Sequence, residues 1–237
     1  MKASVKSNLF IALIAFLSAM LIIIVTSYRS RPISTFSYAS PIYPCVILDA
    51  GHGGFDGGAV SENGTAEKAL NLDITLKTRD FLRFLGICSR LTRENDGSLG
   101  FDESKSMREN KNADILAREK IAESYPECDF LSIHLNKFQQ SKYRGAQVFS
   151  GLKNEKSQIL AQKLQSALLL IDKSNTRKAA LSSDKVYLMK NISSPAVTVE
   201  CGFLSNPAEE KLLLTDEYRL KAAMAIAKGY IDYLGGS

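Results

Sequence analysis

The sequence is short of the residues that most site chemistries draw on. It has two histidines and four cysteines in 237 residues. Cys45, Cys88, Cys128 and Cys201 are far apart and form no CxxC pair, which argues against a structural zinc site built on thiolates. Three of them lie in or beside apolar, strand-like runs, so buried free thiols are expected rather than disulfides. Internal repeats and low-complexity tracts are absent. Excess charge is absent too, once the front of the chain is set aside. Lys2, Lys6, Arg29 and Arg31 fall in the first 39 positions, and the remainder carries 26 Lys+Arg against 25 Asp+Glu. That balance leaves no basic footprint for nucleic acid.

What is present begins with an apolar run. Leu9–Val25 is seventeen residues without a charge, and Thr26–Tyr28 brings it close to the length that crosses a bilayer core of ~30 Å. Residues 1–29 are therefore expected to form an N-terminal transmembrane helix, with the rest of the chain outside the cytoplasm. A cleaved signal peptide and secretion form the alternative, but Ser37-Tyr38-Ala39 lies far beyond the apolar run for a cleavage site. Residues 30–44 are rich in Pro and Ser and read as a linker. Residues 45–237 are then the folded domain.

Within that domain apolar runs alternate with helical patterns. The expectation is a single three-layer α/β domain with a mixed, mostly parallel central sheet flanked by helices. Strands are predicted at 45–49, 87–92, 129–135, 145–149, 185–189 and 196–201. Helices are predicted at 65–85, capped by Thr65, at 112–125 and at 155–172, with two more after Asn206-Pro207-Ala208-Glu209, which has the form of a capping box. Residues 94–111 read as a long polar loop.

Five of the fifteen glycines fall between Gly51 and Gly58, around His52. In DFLSIHLN, alternation puts Ser132 and His134 on one face; in AVTVEC it puts Thr198 and Glu200 on one face and Cys201 on the other. His52, His134 and Glu200 thus lie at the carboxyl ends of three strands, where open α/β sheets bind ligands. Two histidines and a carboxylate suffice for a catalytic zinc with an open fourth position. Glu67 is the candidate third ligand, although an acid in a first helical turn also simply complements the helix dipole. His134 could equally be a satisfied core histidine. Other chemistries fit less well. An esterase oxyanion loop needs a GxSxG elbow, and Asp96-Gly97-Ser98-Leu99-Gly100 is not one. A Cys201–His134 thiol hydrolase is opposed by strand alternation, and a nucleotide-binding loop by the missing third glycine.

The segments LDAGHGGFDGGAV, Glu67-Lys68, FLSIHLN and VECGFLSNPAEEKLL, in that order, resemble the zinc-dependent N-acetylmuramoyl-L-alanine amidases of the type 3 family. The similarity covers essentially all of residues 45–234. It implies that His52, Glu67 and His134 bind Zn²⁺ and that Glu200 is the catalytic glutamate. It also implies cleavage of the amide between N-acetylmuramic acid and L-alanine of the stem peptide in peptidoglycan. Only 65 residues separate His134 from Glu200, too few for the zinc-covering insertion of some cell-division amidases. The compact, anchored form resembles the germination-specific, spore-cortex amidases, whose product is converted to muramic-δ-lactam. That likeness implies a place in the forespore intermembrane space. With no covering insertion, and with the first ligand in a five-glycine loop that is costly to order, an exported activator protein that strengthens zinc binding is expected as partner. A vegetative wall-turnover or daughter-cell-separation amidase, or an inactive wall-binding scaffold, forms the alternative.

Overall fold

The computed structural model describes residues 44–236, so the expected membrane-spanning helix and nearly all of the linker lie outside the described residues. Among the described residues no helix is long and apolar enough to cross a membrane. The elements run β1 (Cys45–Ala50), α1 (Glu67–Phe84), β2 (Cys88–Leu91), α2 (Met107–Glu123), β3 (Asp129–Asn136), β4 (Gln147–Ser150), α3 (Lys156–Leu168), β5 (Ala180–Leu181), α4 (Tyr187–Asn191), β6 (Ala196–Phe203), α5 (Pro207–Leu213) and α6 (Asp216–Leu234).

The sheet order is β2-β1-β3-β6-β4-β5. Strands β2, β1, β3 and β6 are parallel neighbours, and β4 joins β6 antiparallel. Alternation along the central strands separates two cores. Val46, Leu48, Leu131, Ile133, Val197 and Val199 pack with residues of α1, α3 and α6. Ile47, Phe130 and Ala196 face the other way, against Ala122 of α2 and Leu188 and Met189 of α4. Helices cover both faces, and the three-layer α/β architecture with a mixed, mostly parallel sheet is present.

Four local expectations are corrected. Residues 185–189 are not a strand: Tyr187–Asn191 form a short helix, with Leu188 and Met189 buried. Four apolar residues in a row carry no period that separates the two. The edge position belongs instead to the two-residue β5, which pairs with β4. Helix α2 begins at Met107, inside the expected loop, with Ser106 and Glu109 closing a capping box. Its buried stripe is Asn110, Asp114, Arg118 and Ala122, mostly polar, so hydropathy conceals the first turns. Thr65 does not cap α1; Ala66 holds that position without a side-chain bond, and the Thr65 hydroxyl donates to Glu210. Asn206 does cap α5, but Glu209 turns inward to accept from the backbone N–H of Gly145 and Phe203 instead of completing a box.

The cysteine expectation is also corrected. Cys45 and Cys128 form a disulfide, while Cys88 and Cys201 are free. The register Val46↔Asp129 places the residues preceding each, Cys45 at the start of β1 and Cys128 just before β3, side by side. A bridge across a sequence separation of 83 stabilises by about 2–4 kcal/mol, chiefly by restricting the unfolded chain.

Asp129 points into the α6 side, where the Tyr230 hydroxyl donates to it at 2.9 Å. Burial pushes its carboxyl up to about 6, against the hydrogen bond from Tyr230 and the charge of Lys156, which lower it. Its folded-state pKa lies above its unfolded value of 3.8, so its contribution is intact below pH ~4 and is lost as pH rises through ~6. Asp129→Asn is therefore expected to stabilise the protein at pH 7.5 by on the order of 2 kcal/mol, with no gain at pH 4. Urea midpoints of both proteins at the two pH values check this. An equal effect at both would remove the carboxyl's titration from the explanation.

Candidate active site

Strand β1 ends at Ala50, and the chain turns at once into the glycine loop. Gly51 donates its N–H to the carbonyl of Ile133, which keeps the loop against β3. A Cβ on Gly51 would lie 2.2 Å from Cε1 of His134, so only glycine leaves room for that ring. Gly58 has φ +70°, and a Cβ there would meet Glu67 Oε2 and His52 Cδ2, both at 2.6 Å. The glycines are spaces for the site's own side chains. His52 itself has φ 62°, a left-handed conformation that non-glycine residues rarely adopt and that costs on the order of 1 kcal/mol or more.

Two buried arginines hold that conformation. Arg118 donates to the carbonyls of Ala50 (2.9 Å) and His52 (2.7 Å), and Arg93 to those of Ala50 (2.9 Å) and Gly51 (3.0 Å). Arg118 is in turn paired with Asp49 and with Asp114. Asp49 also accepts from Thr92 and Ser132. Burial alone would raise the Asp49 carboxyl, but the charge of Arg118 and the hydroxyls of Ser132 and Thr92 hold it below the usual range. Ser132 apart, the sequence pattern does not single out these residues. The available signal was Asp49, a charge inside the apolar run CVILDA.

Glu67 is the first residue of α1 and is only 2% exposed, so complementing the helix dipole is not its whole role. Its Oε1 accepts from Leu135 N (2.9 Å) and Asn71 Nδ2 (3.0 Å) and lies 2.9 Å from His134 Nδ1. Its Oε2 accepts from Ala59 N (2.8 Å) and lies 3.2 Å from His52 Nε2. The other nitrogen of His52 is 2.9 Å from Asp56 Oδ2. Burial alone would lower the His52 pKa, but the hydrogen bonds to Asp56 and Glu67 outweigh it and raise it to about 9. Glu67 is pushed upward by burial and more strongly downward by the two histidines, ending well below the usual carboxylate range.

His52, Glu67 and His134 each offer a ligand atom, and these atoms all lie within 4.8 Å of one another. Glu200 sits one strand over, in register with His134. The residue is partly exposed, but its Oε2 is inaccessible and has no hydrogen-bond partner. Burial raises its pKa to about 7, against the charge of His134. Cys201 points into the opposite core, where burial pushes its thiol far up. The arrangement can hold a divalent ion with two imidazoles and a carboxylate, beside a carboxylate able to exchange a proton near neutrality.

Comparison with known proteins identifies the family. Residues 46–232 match the Amidase_3 family model, described as N-acetylmuramoyl-L-alanine amidase. The germination-specific N-acetylmuramoyl-L-alanine amidase of Bacillus subtilis (strain 168) is 36% identical over 188 residues, covering 79% of this chain and 78% of that one. AmiA of Escherichia coli (strain K12), also an N-acetylmuramoyl-L-alanine amidase, is 31% identical over 79% of this chain and 75% of its own length. Among solved structures, the CwlD amidase from Clostridioides difficile, in complex with the GerS lipoprotein, superposes with a TM-score of 0.79 at 42% identity. That match covers 82% of this chain and 100% of the other. The chain belongs to the N-acetylmuramoyl-L-alanine amidase family.

Proposed function

We propose that this peptidoglycan amidase works through zinc held by His52, Glu67 and His134, with Glu200 as the catalytic glutamate, and that it acts in maturation of the spore cortex. One observation carries the mechanism: three donors gathered within 4.8 Å, next to a carboxylate oxygen that is buried and unpartnered. The donor set fits zinc, which takes nitrogen and carboxylate ligands and keeps a fourth position open in catalytic sites. When bound, zinc lowers the pKa of a water to about 7 and polarises the scissile carbonyl. His52 would bind through Nε2 while Asp56 keeps the proton on Nδ1 and fixes the ring. Asn71 and the N–H groups of Leu135 and Ala59 orient the Glu67 carboxylate. Glu200 takes the proton from the attacking water and returns it to the leaving nitrogen of L-alanine.

The spore role is supported by the germination-specific relative and the CwlD likeness. The complex of CwlD with a lipoprotein supports an exported protein partner here. Anchoring through Leu9–Val25 with the domain outside the cytoplasm is part of the same proposal. The Cys45–Cys128 bridge supports it, because disulfides persist in oxidising compartments.

Digestion of peptidoglycan by the full chain, followed by mass spectrometry, tests the reaction. Free stem peptides beginning with L-alanine, and glycan strands with bare lactyl groups, are expected. For the spore role, cortex from a strain lacking the protein is expected to have lost muramic-δ-lactam. Unchanged lactam content would assign the enzyme to vegetative wall.

A further inference from the structure

Two recesses flank the donor cluster, and their chemistry differs. One, of ≈320 Å³, is lined by Asn136, Phe149, Ser182, Met189 and Thr198 around His134 and Glu200. Among the described residues, Glu200 and His134 are its only ionisable groups. The other, of ≈250 Å³, is lined by His52, Asp56, Lys111, Arg118, Lys185 and Tyr187. Val186 and Leu188 border both, so the start of α4 is a ridge between them, and His134 is common to the two.

The acids of the charged recess are already engaged. Asp49 and Asp114 are buried and paired with Arg118. Asp56 is taken up by His52, by the N–H of Gly58 and by Lys111 at 3.3 Å. Lys185 is exposed, and among the described residues its ammonium has no carboxylate within ion-pair range. What the recess still offers a ligand is therefore the ammonium of Lys185.

A muramyl–alanine junction has two halves of matching character. The sugar side is uncharged, since the lactyl carboxyl is consumed in the amide, and it presents hydroxyl and N-acetyl groups. The peptide side is acidic. Its second residue is D-glutamate linked through the γ-carboxyl, which leaves a free α-carboxylate one residue from the scissile bond. We propose that Lys185 binds this α-carboxylate. The stem peptide then runs from His134 into the charged recess, and the sugar occupies the Phe149–Ser182 recess. The proposal rests on the amidase reading of this site. It makes Lys185 a specificity residue that separates stems with free glutamate from stems whose carboxyl is amidated to isoglutamine, because an ammonium pairs with a carboxylate far better than with a neutral amide.

The test compares muramyl-peptides carrying D-glutamate or D-isoglutamine at the second position, with the zinc-loaded full chain. Wild type is expected to favour the glutamate substrate in kcat/KM, through KM. Lys185→Ala should reduce that preference about 5–10-fold, the worth of one partly exposed charge-assisted bond. Lys185→Arg should keep it, and raised salt should weaken it in wild type. Equal losses on both substrates would give Lys185 a merely structural role and overturn the proposal, as would a wild type that does not discriminate. Loss of the preference on Phe149→Ala, with Lys185→Ala neutral, would place the peptide in the other recess. Calorimetric binding of the tripeptide L-Ala-γ-D-Glu-diaminopimelate separates the two levels. Binding that depends on Lys185 without hydrolysis would sustain the assignment while removing the amidase reading, and absence of both would remove both.

Discussion

Glu200→Gln is expected to lower kcat by about 10²–10⁴-fold, the usual range for loss of a general base. The substitution is nearly isosteric, so it separates proton transfer from shape. Glu200 is held on β6 between His134 on β3 and Gln147 on β4, and neither strand has reason to move when an amide replaces the acid. Metal content is therefore expected to stay at the wild-type level, which distinguishes this variant from loss of a ligand. Kinetics on muropeptides with parallel elemental analysis decide the matter. Activity within a few-fold of wild type would take Glu200 out of the mechanism. Cys201, its neighbour in sequence, lies on the far side of the sheet and has no comparable role.

His134→Ala is expected to abolish stoichiometric zinc binding and, with it, activity. Changing a residue that merely supports a ligand already costs about 10–100-fold in affinity, and His134 is proposed as one of only three protein ligands. The fold should survive, because the ring lies in the cleft beside Gly51 rather than in either apolar core. Elemental analysis of the dialysed protein, with circular dichroism to monitor folding, is the check. A folded variant retaining one zinc per chain would show that the donors are assigned wrongly.

The parts of this site legible in the sequence were those that a period of two exposes. Ser132 and His134, and likewise Thr198 and Glu200, share a face because Leu131, Ile133, Val197 and Val199 occupy the other. Glu67 could be suspected but not separated from an ordinary helix-start acid, since its contacts come from β3 and the glycine loop. The pairing of Cys45 with Cys128 depends on which strands are neighbours, a fact of topology that no local pattern carries. The start of α2 is hidden in the polar stretch 94–111, where its inward face opens on Asn110 and continues to Asp114 and Arg118, although Ser106-Met107-Arg108-Glu109 spells the capping signal outright. Those polar positions face inward because the helix supplies Asp114 and Arg118 to the strand end below His52.

That last contact changes how the glycine loop should be regarded. Eight residues with five glycines suggest a segment that opens freely, since so many backbone conformations are accessible to it. Yet the carbonyls of Ala50 and His52 are bound by Arg118, which also holds Asp49 near the carboxyl end of β1. Lifting the loop would strip Arg118 of its bond to the His52 carbonyl and Arg93 of its bond to the Gly51 carbonyl, leaving buried N–H groups unsatisfied at about 1–3 kcal/mol each. Local opening of this segment is thereby opposed by two buried arginines that are themselves fixed to the sheet and to α2. The most glycine-rich stretch of the chain belongs, in energetic terms, with the slowest-exchanging part of the molecule rather than with its fraying loops.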